Sequence, residues 1–390
     1  MQTYDTIVIG NGLAGAALSY ELAKVGHSVL LMDDSRPDSG TRYSYGGIGY
    51  WAGTTELTET LFQAGIVRHR ELPDELGTDT QLRELDLLLT VAKGEDMAAI
   101  KESYTAMRTP PQFVSIETAC EIEPQLNPSA LEGAFTTRHA HVEPTLLVDG
   151  YNSAFRQLGG HHNLSTVTGL VRVGDAITGV TTEVQAYAAK RVIVSAGAYS
   201  LQLLRAVGVQ VPLYFTHAEI VETVPLDFEV RSLIMPATNA RTDSESASPD
   251  PSEWQKINHQ VMPPVLEAGV IQFQDKTARI GQISRFHTAL VPPVEADESE
   301  QAIREAIAHP LPRLRTVPGT WRHCLVTFTQ DNLPLLGPVP TVEGLHLFSG
   351  FTSPFALVPP VAQRYAQQLA QDPNHSPDQL IEQMLVSRFL

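Results

Sequence analysis

Cysteine is nearly absent. The 390 residues hold two, Cys120 and Cys324, far apart in the chain. A disulfide framework and a cysteine-rich metal site are thereby excluded. Basic residues are also in deficit, with 27 Lys and Arg against 44 Asp and Glu and a formal net charge of −17. Nucleic acid requires a basic face, so no nucleic-acid partner is expected. No long apolar run is present either. The first, Thr6 to Leu18, follows Asp5, is broken by glycines and is too short to span a bilayer. Few cysteines and no basic leader point to a reducing cytoplasm and no transmembrane segment. What remains is an ordinary globular composition, 43% hydrophobic and 18% charged, in a chain of two-domain length.

The organisation follows from periodicity. Thr6 to Gly10 is a β-branched run ending at glycine, which predicts a buried strand. Leu13 to Val25 has helical spacing and stops at Gly26, and Ser28 to Met32 is a second strand. This is a strand–helix–strand unit. Further on, Asp96 to Met107, Thr145 to Leu158 and Ser299 to Ala308 predict helices. Leu170 to Val173 and Ile177 to Thr182 predict a hairpin turning at Gly174-Asp175. Arg191 to Ser195 and Leu345 to Ser349 predict strands, with a closing helix from about Val358 to Gln371. Pro236 to Trp254 is polar and predicts a long surface loop.

Gly10-Asn11-Gly12-Leu13-Ala14-Gly15 is a GxGxxG that follows a strand, opens a helix and has Asp33 at the end of the next strand. That context marks a dinucleotide site. Glycines let the backbone turn tightly and approach a pyrophosphate at the helix N-terminus, and Asp33 accepts from a ribose hydroxyl. The motif itself fits NAD or FAD. No second GxGxxG follows a later strand, which disfavours a reductase with two such sites. Three further Gly- and Ser-rich segments, Thr41 to Gly49, Ser195 to Ala198 and Ser349 to Phe355, suit an extended flavin dinucleotide.

Together with His141-Val-Glu-Pro144, Val192 to Ala198, Thr329 to Gly337 and Phe348-Ser-Gly350, these motifs resemble the D-amino acid oxidase superfamily. The similarity lies on the branch with glycine oxidase and monomeric sarcosine oxidase. The resemblance implies an α/β fold. A Rossmann-type FAD-binding domain would be assembled from residues 1–80, 141–213 and 321–390. A second, α+β substrate domain on a mixed, mostly antiparallel sheet would take 81–140 and 214–320. It implies FAD contacts at Gly10, Gly12, Leu13, Ala14, Gly15, Asp33, Asp34, Thr41, Arg42, Ser44, Gly46 and Gly47. Others are Val167 at the adenine, Ala196, Gly197, and Gly350, Phe351, Thr352 and Ser353 at the pyrimidine edge. The implied chemistry is oxidation of a carbon–nitrogen bond in a small amine or amino acid, with oxygen or another electron acceptor reoxidising the flavin. A dehydrogenase serving a quinone or protein acceptor, and a flavin-binding partner without turnover, remain open.

The sequence also departs from the family. Positions where members carry a cation for the substrate carboxylate hold Val326, Tyr45 and Pro354. Burying an unpaired carboxylate is costly. Either Arg285 or Arg322 substitutes, or the substrate lacks an α-carboxylate. Cys324 stands seven residues before Asp331, in the frame where sarcosine oxidase-like members join a cysteine to the flavin. It is either an attachment point or an inert buried thiol. Arg279 falls where such members carry a lysine that assists oxygen. His217, His287 and His323 are candidate pocket residues.

Overall fold

The computed structural model describes residues 3–247, 251–292, 294–371 and 376–390. In chain order the strands are β1 (Thr3–Ile9), β2 (Val29–Asp33), β3 (Gly47–Ile48), β4 (Arg83–Ala92), β5 (Gln112–Ser115), β6 (Leu131–His141), β7 (His161–Leu164), β8 (Gly169–Val173), β9 (Ala176–Thr181), β10 (Ala186–Val194), β11 (Leu213–Thr223), β12 (Leu233–Pro236), β13 (Gln260–Gln272), β14 (Ala278–His287), β15 (Gly319–Thr329), β16 (Leu335–Pro338) and β17 (Leu345–Ser349). The longer helices are α1 (Leu13–Lys24), α2 (Glu56–Leu76), α3 (Pro144–Gln157), α4 (Ala296–Ala308) and α5 (Pro354–Ala370). None is long and apolar enough to cross a membrane among the described residues.

Two sheets form. The first runs β16-β17-β10-β1-β2-β7, with the β8–β9 hairpin on β10. Its β17, β10, β1, β2 and β7 are parallel neighbours. The central strands are apolar on both faces, as a covered parallel sheet requires. β1 lies between β10 and β2, so the chain leaves β1 at a topological switch point, where ligands bind in such sheets.

The second sheet runs β15-β11-β14-β13-β12-β4-β6-β3, antiparallel apart from the β12–β4 pair, with β5 on β6. The fold class is therefore α/β with a mixed second sheet. β15 pairs with β11 from Gly319 to Thr329, so residues expected in the cofactor unit from 321 onward first serve as an edge strand of the second sheet.

Two local expectations are corrected. The segment 236–254 is not one surface loop. Residues Ala240–Ser246 and Pro251–Gln255 are helical, and Trp254 is buried against Tyr214 and Phe328 with ring centroids 5.0 and 5.8 Å away. Residues 248–250 of that segment lie outside the described residues. The closing helix starts at Pro354, earlier than Val358. Pro359 and Pro360 then sit inside it, and proline cannot donate to the carbonyl four residues back. The packing compensates: His69 Nε2 donates to the freed Phe355 carbonyl at 2.7 Å. Gly65 of α2 lies so close to the Ala356 carbonyl that a Cβ would stand 2.1 Å from it.

Candidate active site

The chain turns at the end of β1 through Gly10, whose φ is +105°. A Cβ on Gly10 would meet the Ser195 carbonyl at 2.4 Å, and one on Gly15 would meet the Gly10 carbonyl at 1.7 Å. These glycines therefore let β1, β10 and α1 converge. Asn11 N–H donates to Asp33 Oδ2 at 2.7 Å, which ties the turn to the end of β2. Asp33 Oδ1 accepts from Ser35 N–H at 2.6 Å. Leu13 N–H, at the first turn of α1, donates to Thr41 Oγ1 at 3.1 Å. Gly12 offers no side-chain cap and α1 has no acid in its first turn, so its N-terminal dipole faces the groove uncompensated.

The other predicted cofactor segments assemble around this turn. Thr166 Oγ1 donates to Asp34 Oδ2 at 3.4 Å, placing Val167 beside the end of β2. Ala196 and Gly197 follow β10 and are half-buried. Arg42 is exposed, with no ion pair among the described residues. Gly350, at φ +78°, lets the chain enter α5 through Phe351, Thr352 and Ser353, and Ser353 does not cap that helix with its side chain. Phe351 itself is core, 4.9 Å from Phe348 between ring centroids, so only its backbone faces the groove. Gly46 and Gly47 pack on β6: a Cβ on Gly46 would meet the Val142 carbonyl at 2.0 Å. Asn11 Oδ1, Ser195 Oγ and Thr352 Oγ1 are buried without a hydrogen-bond partner among the described residues. Two helix N-termini without a cap from their own N-cap side chains, a cradle that side chains would fill and three orphaned polar atoms fit a dinucleotide with a flavin end.

The loop from Asp38 to Tyr45 crosses from this groove to the second sheet. Leu325 N–H donates to the Asp38 carbonyl at 3.2 Å, and Gly40 runs beside Val326. Arg279, buried on β14, donates to the Ser44 carbonyl. Tyr45 O–H donates to the Gly281 carbonyl at 2.6 Å.

Strand alternation decides which predicted residues share this face. β11 pairs with β15 without a slip, matching Thr216 to Val326, Ala218 to Cys324, Ile220 to Arg322 and Glu222 to Thr320. Those residues, with Arg279 opposite Glu222, lie on the loop's side. His217 and Glu219 point to the other side, as does Arg285 opposite His217.

Arg285 and His217 are therefore removed from the candidate site. Arg285 is paired with the fully buried Glu219, and its Nη2 donates to Ser299 of α4 at 3.2 Å. His217 is bonded to His323 at 2.7 Å and to the Ala289 carbonyl at 2.9 Å, and burial drives its imidazole down to about 3. His287 and His323 neighbour it on that far face. The Tyr45 hydroxyl is committed to backbone carbonyls, and burial pushes its phenol well up.

Arg322 and Arg279 remain, lining one cleft of about 660 Å³. Glu222 joins them: Arg322 Nε donates to its Oε2 at 3.1 Å, and Arg279 Nε lies 3.5 Å from its Oε1. Glu143 stands 3.8 Å from Arg279. Cys324 is 3% exposed, and burial pushes its thiol up to about 12 against a smaller opposing pull from Arg279. Glu222 and Thr216 escape sequence reading, since each becomes relevant only through strand register. Thr216 Oγ1 is buried on the strand position beside Val326 and has no hydrogen-bond partner among the described residues.

A glycine-lined groove at the β1 switch point and a second sheet across the loop are the arrangement of a flavoprotein oxidoreductase. The family model described as DAO, FAD dependent oxidoreductase, matches residues 5–368, and the chain belongs to that family. It is 24% identical to glycine oxidase of Pseudomonas aeruginosa over 88% of both chains. It is 25% identical to 4-methylaminobutanoate oxidase (formaldehyde-forming) of Paenarthrobacter nicotinovorans, over 58% of this chain and 28% of that protein. Its fold matches the crystal structure of glycine oxidase from Geobacillus kaustophilus with a TM-score of 0.81, 20% identity and full coverage of both chains.

Proposed function

We propose that this enzyme oxidises the carbon–nitrogen bond of a small amine or amino acid to an imine, with oxygen reoxidising the flavin to give hydrogen peroxide. One observation carries the reading. The groove suits the cofactor, while Val326, Tyr45 and Pro354 put no cation where the resemblance implies one for an α-carboxylate, and Arg279 and Arg322 on the loop-side face are paired with Glu222. Relatives named for glycine and for 4-methylaminobutanoate, a primary and a secondary amino acid, support oxidation at a carbon–nitrogen bond. Bound FAD supplies acceptance of the hydride equivalent from the substrate carbon.

The chain's own residues do the rest. Gly10, Gly12 and Gly15 admit the pyrophosphate to the N-terminus of α1, and Asp33 accepts from the ribose. Thr41 and Arg42 flank the pyrophosphate. The N-terminus of α5 stabilises negative charge at the pyrimidine edge. Thr216 offers the substrate a hydroxyl beside the apolar wall of Val326. Arg279, held by Ser44, supplies positive charge for reduction of oxygen. Cys324 is the proposed point of covalent attachment, on the same sheet face. The first sheet and its helices form the cofactor unit, and the second sheet forms the cap.

An anaerobic panel of amines and amino acids, read by flavin absorbance, tests the first half. Bleaching by at least one amine is expected, and a flavin that no member bleaches contradicts it. Admitting air then tests the second half: one peroxide per imine supports an oxidase, and persistence of the bleached flavin contradicts it.

A further inference from the structure

The cleft of about 660 Å³ at the end of the second sheet is of ordinary ligand size. Its charges alternate across the strands. Arg322 stands on β15, Glu222 on β11, Arg279 on β14 and Asp275 in the turn from β13. Glu143, at the N-terminus of α3, faces them. The lining thus carries three carboxylates and two guanidiniums. A simple anion meets an acidic surplus there, and a simple amine meets the guanidiniums.

Much of this polar surface is already committed. Arg279 donates to Ser44 and lies between Glu222 and Glu143. Glu143 Oε2 accepts from Leu146 N–H at 2.6 Å. Asp275 Oδ1 accepts from the Thr277 amide at 2.9 Å and its hydroxyl at 2.7 Å. Two groups make no hydrogen bond among the described residues. Arg322 hydrogen-bonds through Nε alone, with its guanidinium over the Tyr43 ring at 5.8 Å, leaving the terminal pair of N–H groups that grips a carboxylate in two places. Asp275 Oδ2 is free to accept. Phe273, Val224 and Leu146 supply apolar surface.

We propose that this cleft binds a linear zwitterion, an amino acid whose carboxylate and ammonium are separated by several methylenes. The carboxylate lies on the terminal N–H pair of Arg322 and the ammonium lies at Asp275. These residues stand on opposite flanks of β11 and β14, and neighbouring strands lie about 4.8 Å apart, so their backbones are at least two strand spacings, roughly 10 Å, apart. An α-amino acid carries both charges on one carbon and cannot reach both. The claim concerns binding and is separate from which compound is oxidised. Because Arg279 is the wall between cleft and cofactor loop, occupancy is expected to shift the flavin spectrum as well.

Isothermal titration of the protein as purified, with its FAD, decides the matter. The probes are 6-aminohexanoate, 8-aminooctanoate, glycine, hexanoate and hexylamine. The longer zwitterions should bind at least tenfold more tightly than glycine and than either singly charged compound. Arg322→Gln and Asp275→Asn should each weaken that binding tenfold or more, with flavin content and melting temperature confirming an intact fold. Glycine binding as tightly as 6-aminohexanoate would overturn the proposal. So would an Arg322→Gln variant that keeps full affinity, or the absence of heat from the longer zwitterions at millimolar concentration. Failure of every amine to bleach the flavin would sink the proposed oxidation while leaving these titrations readable.

Discussion

The Tyr45 hydroxyl donates to the Gly281 carbonyl at 2.6 Å and lies 3.1 Å from the Gly269 carbonyl. A position where the resemblance implies a substrate-binding arginine is thus a fastener between the cofactor loop and β13–β14. Tyr45→Phe leaves these carbonyls without the phenol, a loss of about 1–3 kcal/mol for a buried polar group. The melting temperature should fall, with the preference between glycine and a simple amine unchanged. A selective loss of glycine turnover would return Tyr45 to the substrate.

Gly12 lies where the pyrophosphate approaches α1, and a Cβ there would stand 3.2 Å from Thr41 Oγ1. Gly12→Glu adds both bulk and negative charge at the helix N-terminus, so the purified variant should contain no FAD. Stoichiometric FAD in that variant would contradict the assignment of the groove.

Attachment at Cys324 requires its thiolate, and burial holds the thiol up at about 12. The raised value keeps the thiol protonated at neutral pH, so the thiolate fraction grows roughly tenfold per pH unit until the pH nears that value. Apoprotein mixed with FAD should therefore become acid-stably yellow faster at pH 9 than at pH 7, and Cys324→Ser should release all colour on acid precipitation. Full release of colour from the native protein would exclude the bond.

The buried imidazoles of His69 and His139 are driven down to about 4 by burial. Unfolded, they titrate near the ordinary value of about 6.5. The unfolded chain then binds more protons, so this contribution is complete above pH 6.5 and is lost as the pH falls towards 4. Each is worth on the order of 3 kcal/mol by the size of the shift. Urea midpoints should fall between pH 7 and 4.5. His69→Gln, which retains a donor for the Phe355 carbonyl, should reduce that slope. A flat profile would contradict the neutral buried assignment.

Local signals were legible in the sequence and register was not. The strand–glycine–helix unit from Thr6 to Met32 is written in contiguous residues, and β1, α1 and β2 form within three residues of expectation. The hairpin at Gly174 is likewise local. Arg285 and Arg322 are indistinguishable as isolated arginines. Only the pairing of β11 with β14 and β15 shows that one faces Glu219 under α4 and the other faces the cleft. The start of α5 lies four residues before the expected one, and the His69 donor that offsets Pro359 inside it is 286 positions from the Phe355 carbonyl. Trp254 pins a polar segment by contacts to Tyr214 and Phe328 that no local pattern encodes.

The central claim is amine oxidation by a flavin site that lacks an α-carboxylate clamp. Without a cation partner, a substrate carboxylate loses its hydration in the complex and regains little in the transition state. The most direct measurement is anaerobic flavin reduction by glycine and sarcosine, set beside N-substituted amines that lack an α-carboxylate. The latter should reduce the flavin with far higher efficiency. Reduction by glycine or sarcosine at about 10⁴ M⁻¹s⁻¹, the low end of ordinary enzymes, would contradict the account and require a carboxylate-binding cation at the flavin.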